Sequence, residues 1–398
     1  ILDGFTITGG YADGGGENDT GGGIYSSGCA ILKNLIIKNN YAAYRGGGVW
    51  NGSGELIIEN TTIASNQAAS SGGGIFNDGG ISLSNAFLIQ NKAASDGGGM
   101  ITFSPASFTD VTFRQNSALA NGGGLYVQNE GTGVELSRVV FDRNASEGHG
   151  GGLFLFATNG DSPVLSDVSF LGNSAIDSEG EVPTSGGGMW LFLRGNSPPK
   201  MTRLTFTENQ SDKGGGLSYS AGDMTVPGVD LLSRATFVGN VARNDGGGMA
   251  ISGAVGRMSD VTMTDNMAFL TGQSVYFSSG NLEINNSIFW GSSTLAQITN
   301  ATNESNVFLS TGIVKGGYAH GTNISAHDPL LGELSNNGGF TETVPLLVGS
   351  NAIDQSELCL ETDQRGVKRP QGKACDIGAF EYFVEVPTPD RMFSNGFE

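Results

Sequence analysis

The sequence predicts an all-β fold, a right-handed parallel β-helix of about ten coils. Three signals that repeat in phase predict it. Gly-Gly-Gly triplets begin at Gly21, Gly46, Gly72, Gly97, Gly122, Gly150, Gly186, Gly214 and Gly246, with a degenerate copy at Gly272-Gln273-Ser274; the steps run from 25 to 36 residues. An apolar residue followed three places later by Asn keeps phase with them: Ile37/Asn40, Ile63/Asn66, Leu88/Asn91, Phe113/Asn116, Phe141/Asn144, Phe170/Asn173, Phe206/Asn209, Phe237/Asn240 and Met263/Asn266. Ahead of the Asn, segments such as 108–113, 165–170 and 258–263 alternate apolar and polar residues, the period of a half-buried strand.

Each unit of about 25 residues holds two or three short strands and cannot bury its own apolar face; stacked on copies of itself, it can. Like strands then pair in parallel, and strand chirality makes the crossover right-handed. Ten coils at roughly 4.8 Å give a rod of about 45–50 Å. Stacked Asn side chains are expected to form a ladder along the axis, each amide giving and receiving one bond. Two places on, Ala or Ser (Ala42, Ala68, Ala93, Ala118, Ser146, Ala175, Ser211, Ala242, Ala268) fits an inward bend. The triplets supply positive φ and close approach between coils.

Composition agrees. Glycine is 65 of 398 residues, yet there is no G-X-Y period, so the chain is not collagen. Hydrophobic residues at 38% suffice for a core. A net charge of −19 disfavours a nucleic-acid partner or an anionic lipid surface. Three histidines and three cysteines leave little for a zinc site, and no run of apolar residues is long enough for a membrane helix. The opening Ile1-Leu2-Asp3-Gly4-Phe5 reads as a strand inside a repeat, so a longer precursor is expected.

Over roughly residues 1–290 these paired signals resemble the GGA-I and FxxN repeats of the polymorphic outer-membrane autotransporter family, with a third Gly where that family often has Ala. From about Asn300 the period stops. The strings Asp328-Pro329-Leu330-Leu331-Gly332, Ser335-Asn336-Asn337-Gly338-Gly339, Asp363-Gln364-Arg365-Gly366 and Cys375-Asp376-Ile377-Gly378-Ala379-Phe380-Glu381 are similar to the end module of secreted bacterial β-helix proteins of the choice-of-anchor type. That resemblance implies an exported protein attached to, or shed from, a bacterial cell surface. In an exported chain Cys359 and Cys375 are expected to pair, against the alternative of two reduced thiols. Cys29 is expected to be a small buried hydrophobe. The expected organisation is repeats over 1–299, a module over 300–384 that covers the open end of the rod, and a proline-containing tail over 385–398, a candidate sorting signal.

The best candidate for binding follows the triplets. If Ile24, Val49, Ile75, Met100 and their equivalents point inward, the next residues point outward: Tyr25, Trp50, Phe76, Ile101, Tyr126, Phe154, Trp190, Ser218, Ala250 and Tyr276. Seven are aromatic, and a parallel stack sets them in one column that grips sugar rings or a partner protein. The alternative is a column whose rings only stack on one another. Insertions at 128–134, 157–163, 177–185, 194–200 and 221–229 carry Glu130, Asp161, Asp177, Glu179, Glu181 and Asp223. Those acids fit a glycosidase or a calcium site, but no spacing selects a pair, and solvated loops are the favoured account of them, since surface acids are the norm. Arg138, Arg203 and Arg234 share a repeat position with Asp110, Asp167 and Asp260, a mixed-sign column on a sheet face. His149 has no evident partner, and the single calcium-like loop at 13–19 lacks tandem copies.

The expectation is therefore a monomeric extracellular or outer-membrane-associated β-helix, adhesin-like or structural and non-catalytic, that uses no cofactor and presents aromatics and loops to a polysaccharide or to a host or cell-surface protein. The rivals are a glycoside hydrolase or polysaccharide lyase with its site over residues 122–250, and a passive stalk. An enzyme predicts converging acids in one groove; a stalk predicts buried aromatics and no patch.

Overall fold

The computed structural model describes residues 1–129, 133–158, 162–195, 198–222, 230–302 and 305–383. It is a parallel β-solenoid built from three sheets. The long-strand sheet runs from Leu2–Asp3 through strands such as Gly80–Ile89, Ala106–Arg114 and Lys200–Thr207 to Gly321–Ser325. A short-strand sheet of ten members runs from Tyr11–Ala12 to Met267–Ala268. The third sheet has eleven strands, from Ile24–Ser26 to Ile298–Asn300. Parallel pairing continues past Asn300, through Ser305–Val314 to Gly321–Ser325. The loss of Gly and Asn marks hides these last strands in the sequence.

Register explains the repeat. In the third sheet Ile75, Met100, Leu125, Leu153, Met189, Leu217, Met249 and Val275 align one per coil, and all are buried. Opposite them Phe113, Phe141, Phe170, Phe206 and Phe237 stack at 4.5–5.0 Å with planes within 9°. Each such ring, wholly removed from water, stabilises by about 1.5–3 kcal/mol.

The Asn residues form a continuous hydrogen-bonded column. Each Nδ2 donates to the Oδ1 of the next Asn, from Asn40→Asn66 through Asn91, Asn116, Asn144, Asn173 and Asn209 to Asn240→Asn266, at 2.8–3.0 Å. Each also closes the turn: Asn66 Nδ2 donates to Ile37 O and Asn66 Oδ1 accepts from Asn40 N. Buried amides are thereby satisfied. A second, shorter ladder runs Asn51→Asn77→Thr102.

Of each triplet, the first Gly is left-handed (Gly72, φ 71°) and the second faces a close approach. A Cβ on Gly73 would sit 2.4 Å from Lys92 O and 2.5 Å from Gly98 O.

The long-strand sheet is bent by a column of left-handed residues: Asn34, Asn60, Asn85, Asp110, Arg138, Asp167, Arg203, Arg234, Asp260, Asn286 and Thr311, all with φ of 48–59°. Asn and Asp tolerate this conformation by local hydrogen bonding; other residues carry roughly 1–2 kcal/mol of strain. This corrects the sheet-face setting expected for the mixed-sign column of Arg and Asp, while the cross-strand pairing itself is present at two of its positions. They occupy a bend rather than a face. Arg138 pairs with Asp110 and Arg203 with Asp167, each at 2.7 Å. Arg234 instead donates to Thr362, and Asp260 meets Arg369 at 3.1 Å.

Those partners belong to the C-terminal segment, which lies along the flank of the rod rather than over its end. It rests on one outward column, Thr205, Thr236, Thr262, Ile288 and Ile313, which spans five successive strands. Gln364 bonds Thr236 and Thr205, and Thr262 accepts from Ala379 N. Leu346, Ala352, Ile377 and Phe380 close a small core over Ile288 and Ile313. The residues explain the position: five outward side chains that are apolar or Thr have to be covered, and the strap covers them. The Cys359–Cys375 disulfide ties it together. Cys29 is exposed, not buried as expected. It lies in a turn outside the flanking strands, so the apolar strand beside it does not enclose it.

Candidate functional site

The aromatic positions lie on the outer face of the third sheet, because each follows an inward residue by one place in a strand. Tyr25 and Trp50 stack at 4.4 Å. Tyr126, Phe154 and Trp190 form a second stack, at 4.5 and 4.4 Å with planes within 13°. Phe76 is buried beneath the Arg45 guanidinium, 4.6 Å from its ring centroid. Ile101 interrupts the column, and Phe103, two residues further on, fills the gap between Phe76 and Tyr126 at 5.8 and 6.3 Å. Tyr276 stands apart, separated from Trp190 by Ser218 and Ala250.

The exposure is graded. Tyr25 is exposed, Trp50, Tyr126, Trp190 and Tyr276 are half-buried, and Phe76 and Phe154 are buried. The seven positions therefore form one column in register but two ring stacks, with Phe76 and Tyr276 in neither. Sequence reasoning missed Phe103, Phe156 and Phe192. Phe156 and Phe192 stack at 5.3 Å beside the main column, and Phe192 lies 5.9 Å from Trp190. Extending the period of two by one more outward step would have found all three. The result is a patch of six rings over four coils: Phe103, Tyr126, Phe154, Phe156, Trp190 and Phe192. The strands beneath it, Leu125–Asn129, Leu153–Ala157 and Met189–Leu193, are each five residues long and lead into the insertions.

Its polar neighbours among the described residues are engaged in local contacts. Burial, with a smaller push from Asp96, raises the Tyr126 phenol to about 12, and its hydroxyl donates to Gln128 Oε1 at 2.8 Å. His149 stacks on Trp190 at 5.4 Å; burial lowers its pKa, and among the described residues its Nδ1 has no hydrogen-bond partner. Of the loop acids, Glu130, Asp161 and Asp223 lie outside the described residues. Asp177 accepts from the backbone N–H groups of Val182, Glu179 and Glu181, and these bonds hold its pKa down. It shapes its own turn. Glu179 and Glu181 are exposed on that turn. In the 13–19 loop, Asp19 accepts from Gly15 N at 2.7 Å.

Acids do gather further along, in a groove of about 350 Å³ between the long-strand sheet and the strap. There Arg257 sits 3.3 Å from Asp230 and 3.6 Å from Glu283, so both carboxylates are held by one guanidinium. Among the described residues no group of three or more His, Cys, Asp or Glu side chains is placed to hold a metal ion.

Residues 110–128 match the model of the Chlamydia polymorphic membrane protein repeat. That span holds Phe113 and Asn116, the Gly122–Gly124 triplet and Tyr126. No curated protein and no solved structure matches the chain. The stacked coils and this match together make the chain a β-helix repeat protein that resembles the Chlamydia polymorphic membrane proteins.

Proposed function

We propose that the protein is a non-catalytic, surface-displayed solenoid that binds carbohydrate through the aromatic patch of the third sheet and the insertions next to it. The observation that carries this reading is the cluster of half-exposed rings Tyr126, Phe156, Trp190 and Phe192 around the buried Phe154, set on a rigid parallel sheet in the coils that bear the insertions. Aromatic rings held rigid at a surface offer apolar contact with little entropy to lose, and inserted loops on a solenoid build binding faces. The repeat match points to the outer membrane or the cell surface. None of the described helices is long and apolar enough to cross a membrane, which says nothing about strands.

The test is tryptophan fluorescence against a panel of polysaccharides, with chain shortening scored in the same samples. A saturable shift that Trp190→Ala abolishes while the fold is kept supports the reading. New reducing ends or unsaturated products would replace it with the hydrolase or lyase reading, and no shift with any glycan would leave a protein ligand or a passive stalk.

A further inference from the structure

The net charge of −19 conceals a corner of the opposite sign. It lies where the long-strand sheet turns into the short-strand sheet. The bend itself is a left-handed column, Asn39, Ser65, Gln90, Gln115 and Arg143, with φ of 51–54°. On one side Lys38 and Arg114 share an outward column three strands apart. On the other, Gln67 and Lys92 are register neighbours. All four are exposed. Between coils the side chains enclose an open groove of about 560 Å³, lined by Gln67, Gln90, Lys92, Gln115 and Arg143 among others.

The cations of this corner only donate, and its amides and hydroxyls both donate and accept. Over its first five coils, among the described residues, the carboxylate beside these cations is Asp142, which Arg114 and Arg143 share at 2.7 and 2.8 Å, so one negative charge is divided between two guanidiniums; further along the same bend stand Glu208 and Asp265. Among the described residues, neither Lys38 nor Lys92 has a carboxylate within salt-bridge distance. The opposite bend differs: there Lys33, Arg138 and Arg203 each meet an acid. Asp96 and Glu147 stand on the next turn, where Asp96 accepts from Asn121 and Glu147 from Ser178. The first five coils of the corner thus carry four cations and amide groups against one committed carboxylate, with successive coils about 4.8 Å apart.

We propose that this corner binds a linear anionic polysaccharide laid along the rod, its carboxylate or sulfate groups against Lys38, Lys92, Arg114 and Arg143. A polymer with a charge on each residue suits a groove whose donors recur along one line; a flat lipid surface would engage only its rim. Local charge, not the sum over the chain, sets such an encounter. The inference is independent of the aromatic patch.

The experiment measures binding of the full chain to polygalacturonate, alginate and heparin, with neutral dextran and phosphatidylglycerol vesicles alongside, at about 0.1 M salt. Binding to at least one anionic polymer over dextran is expected. The double variant Lys38→Glu, Lys92→Glu, both exposed and outside the core, weakens it about tenfold, and added salt does the same. The proposal is overturned by no binding to any of the three polymers, by equal binding to dextran, by full binding in the double variant, or by binding to vesicles alone.

Discussion

Arg369 reaches back 109 residues to Asp260, where the guanidinium and the carboxylate meet at 3.1 Å with both side chains wholly shielded from water. The same guanidinium lies 3.4 Å from Glu381 and donates to Gly378 O. Leu360 N donates to the other oxygen of Asp260. This buried pair fixes the strap to the solenoid.

Replacing Arg369 by Met removes the cation and leaves two buried carboxylates without it. A broken buried pair costs about 3–5 kcal/mol. Limited proteolysis should release the strap first, while the Asn ladder coils before Lys200 stay protected. Cleavage no faster than in the parent would show that the apolar contacts of Phe380 and Ile377 hold the strap unaided.

Docking of the strap should tighten in mild acid. Burial, with added repulsion from Glu381, raises Asp376 to about 6, and burial also raises Asp260. A carboxyl with a raised folded-state pKa is penalised while it is charged. For Asp376 that penalty is full above about 6 and fades as pH falls toward its ordinary range. Melting temperature should therefore rise as pH is lowered from 7 to 5, and Asp376→Asn should flatten the slope. A slope left intact in Asp376→Asn would assign it to other groups.

Asn144→Leu should cut the ladder at its middle. Asn116 loses the acceptor for both its Nδ2 and its N, and Phe113 O loses its donor. Unmet buried groups cost on the order of 1–3 kcal/mol. The check is thermal unfolding against Asn285→Leu, at a half-buried position outside the ladder; equal losses would deny the ladder a special role.

Gly98→Ala should be far worse than Gly28→Ala. A Cβ on Gly98 would stand 2.4 Å from Ser117 O, whereas one on Gly28 meets nothing within 4 Å. The coils around Gly98 must separate or lose their bonds, so expression or melting temperature drops for the first variant only. Similar behaviour of the two would mean that the coils yield at little cost.

Much of this architecture was legible because its causes are local and recur. Phe113, Asn116 and Gly122 each do one job once per coil, so a spacing of about 25 residues exposes them. The bend at Asp110 and Arg138 was not legible as a bend: alternation is read as flat until a left-handed residue breaks it, and Arg gives no sign of that conformation. The flank position of the strap was hidden for another reason. Contacts such as Thr205 with Gln364 join residues far apart in sequence, and no repeat marks them. At the candidate site, Trp190 and Tyr126 were visible from the column, whereas Phe156 and Phe192 lay one outward step beyond the positions counted. The cationic corner was masked by the overall charge, since summing over the chain discards position.

The strap also divides the rod mechanically. In a solenoid each coil is held by its neighbours alone, so a pull on an open end peels coils off singly. Between Lys200 and Val314 the strap crosses five strands and fastens to Thr205, Asp260, Thr262 and Asn286. Those coils have to give way together. Under tension the molecule is a compliant stack at one end and a rivet at the other, with the aromatic patch running up to the join, since Trp190 and Phe192 lie in Met189–Leu193, just ahead of Lys200–Thr207, the first strand the strap fastens.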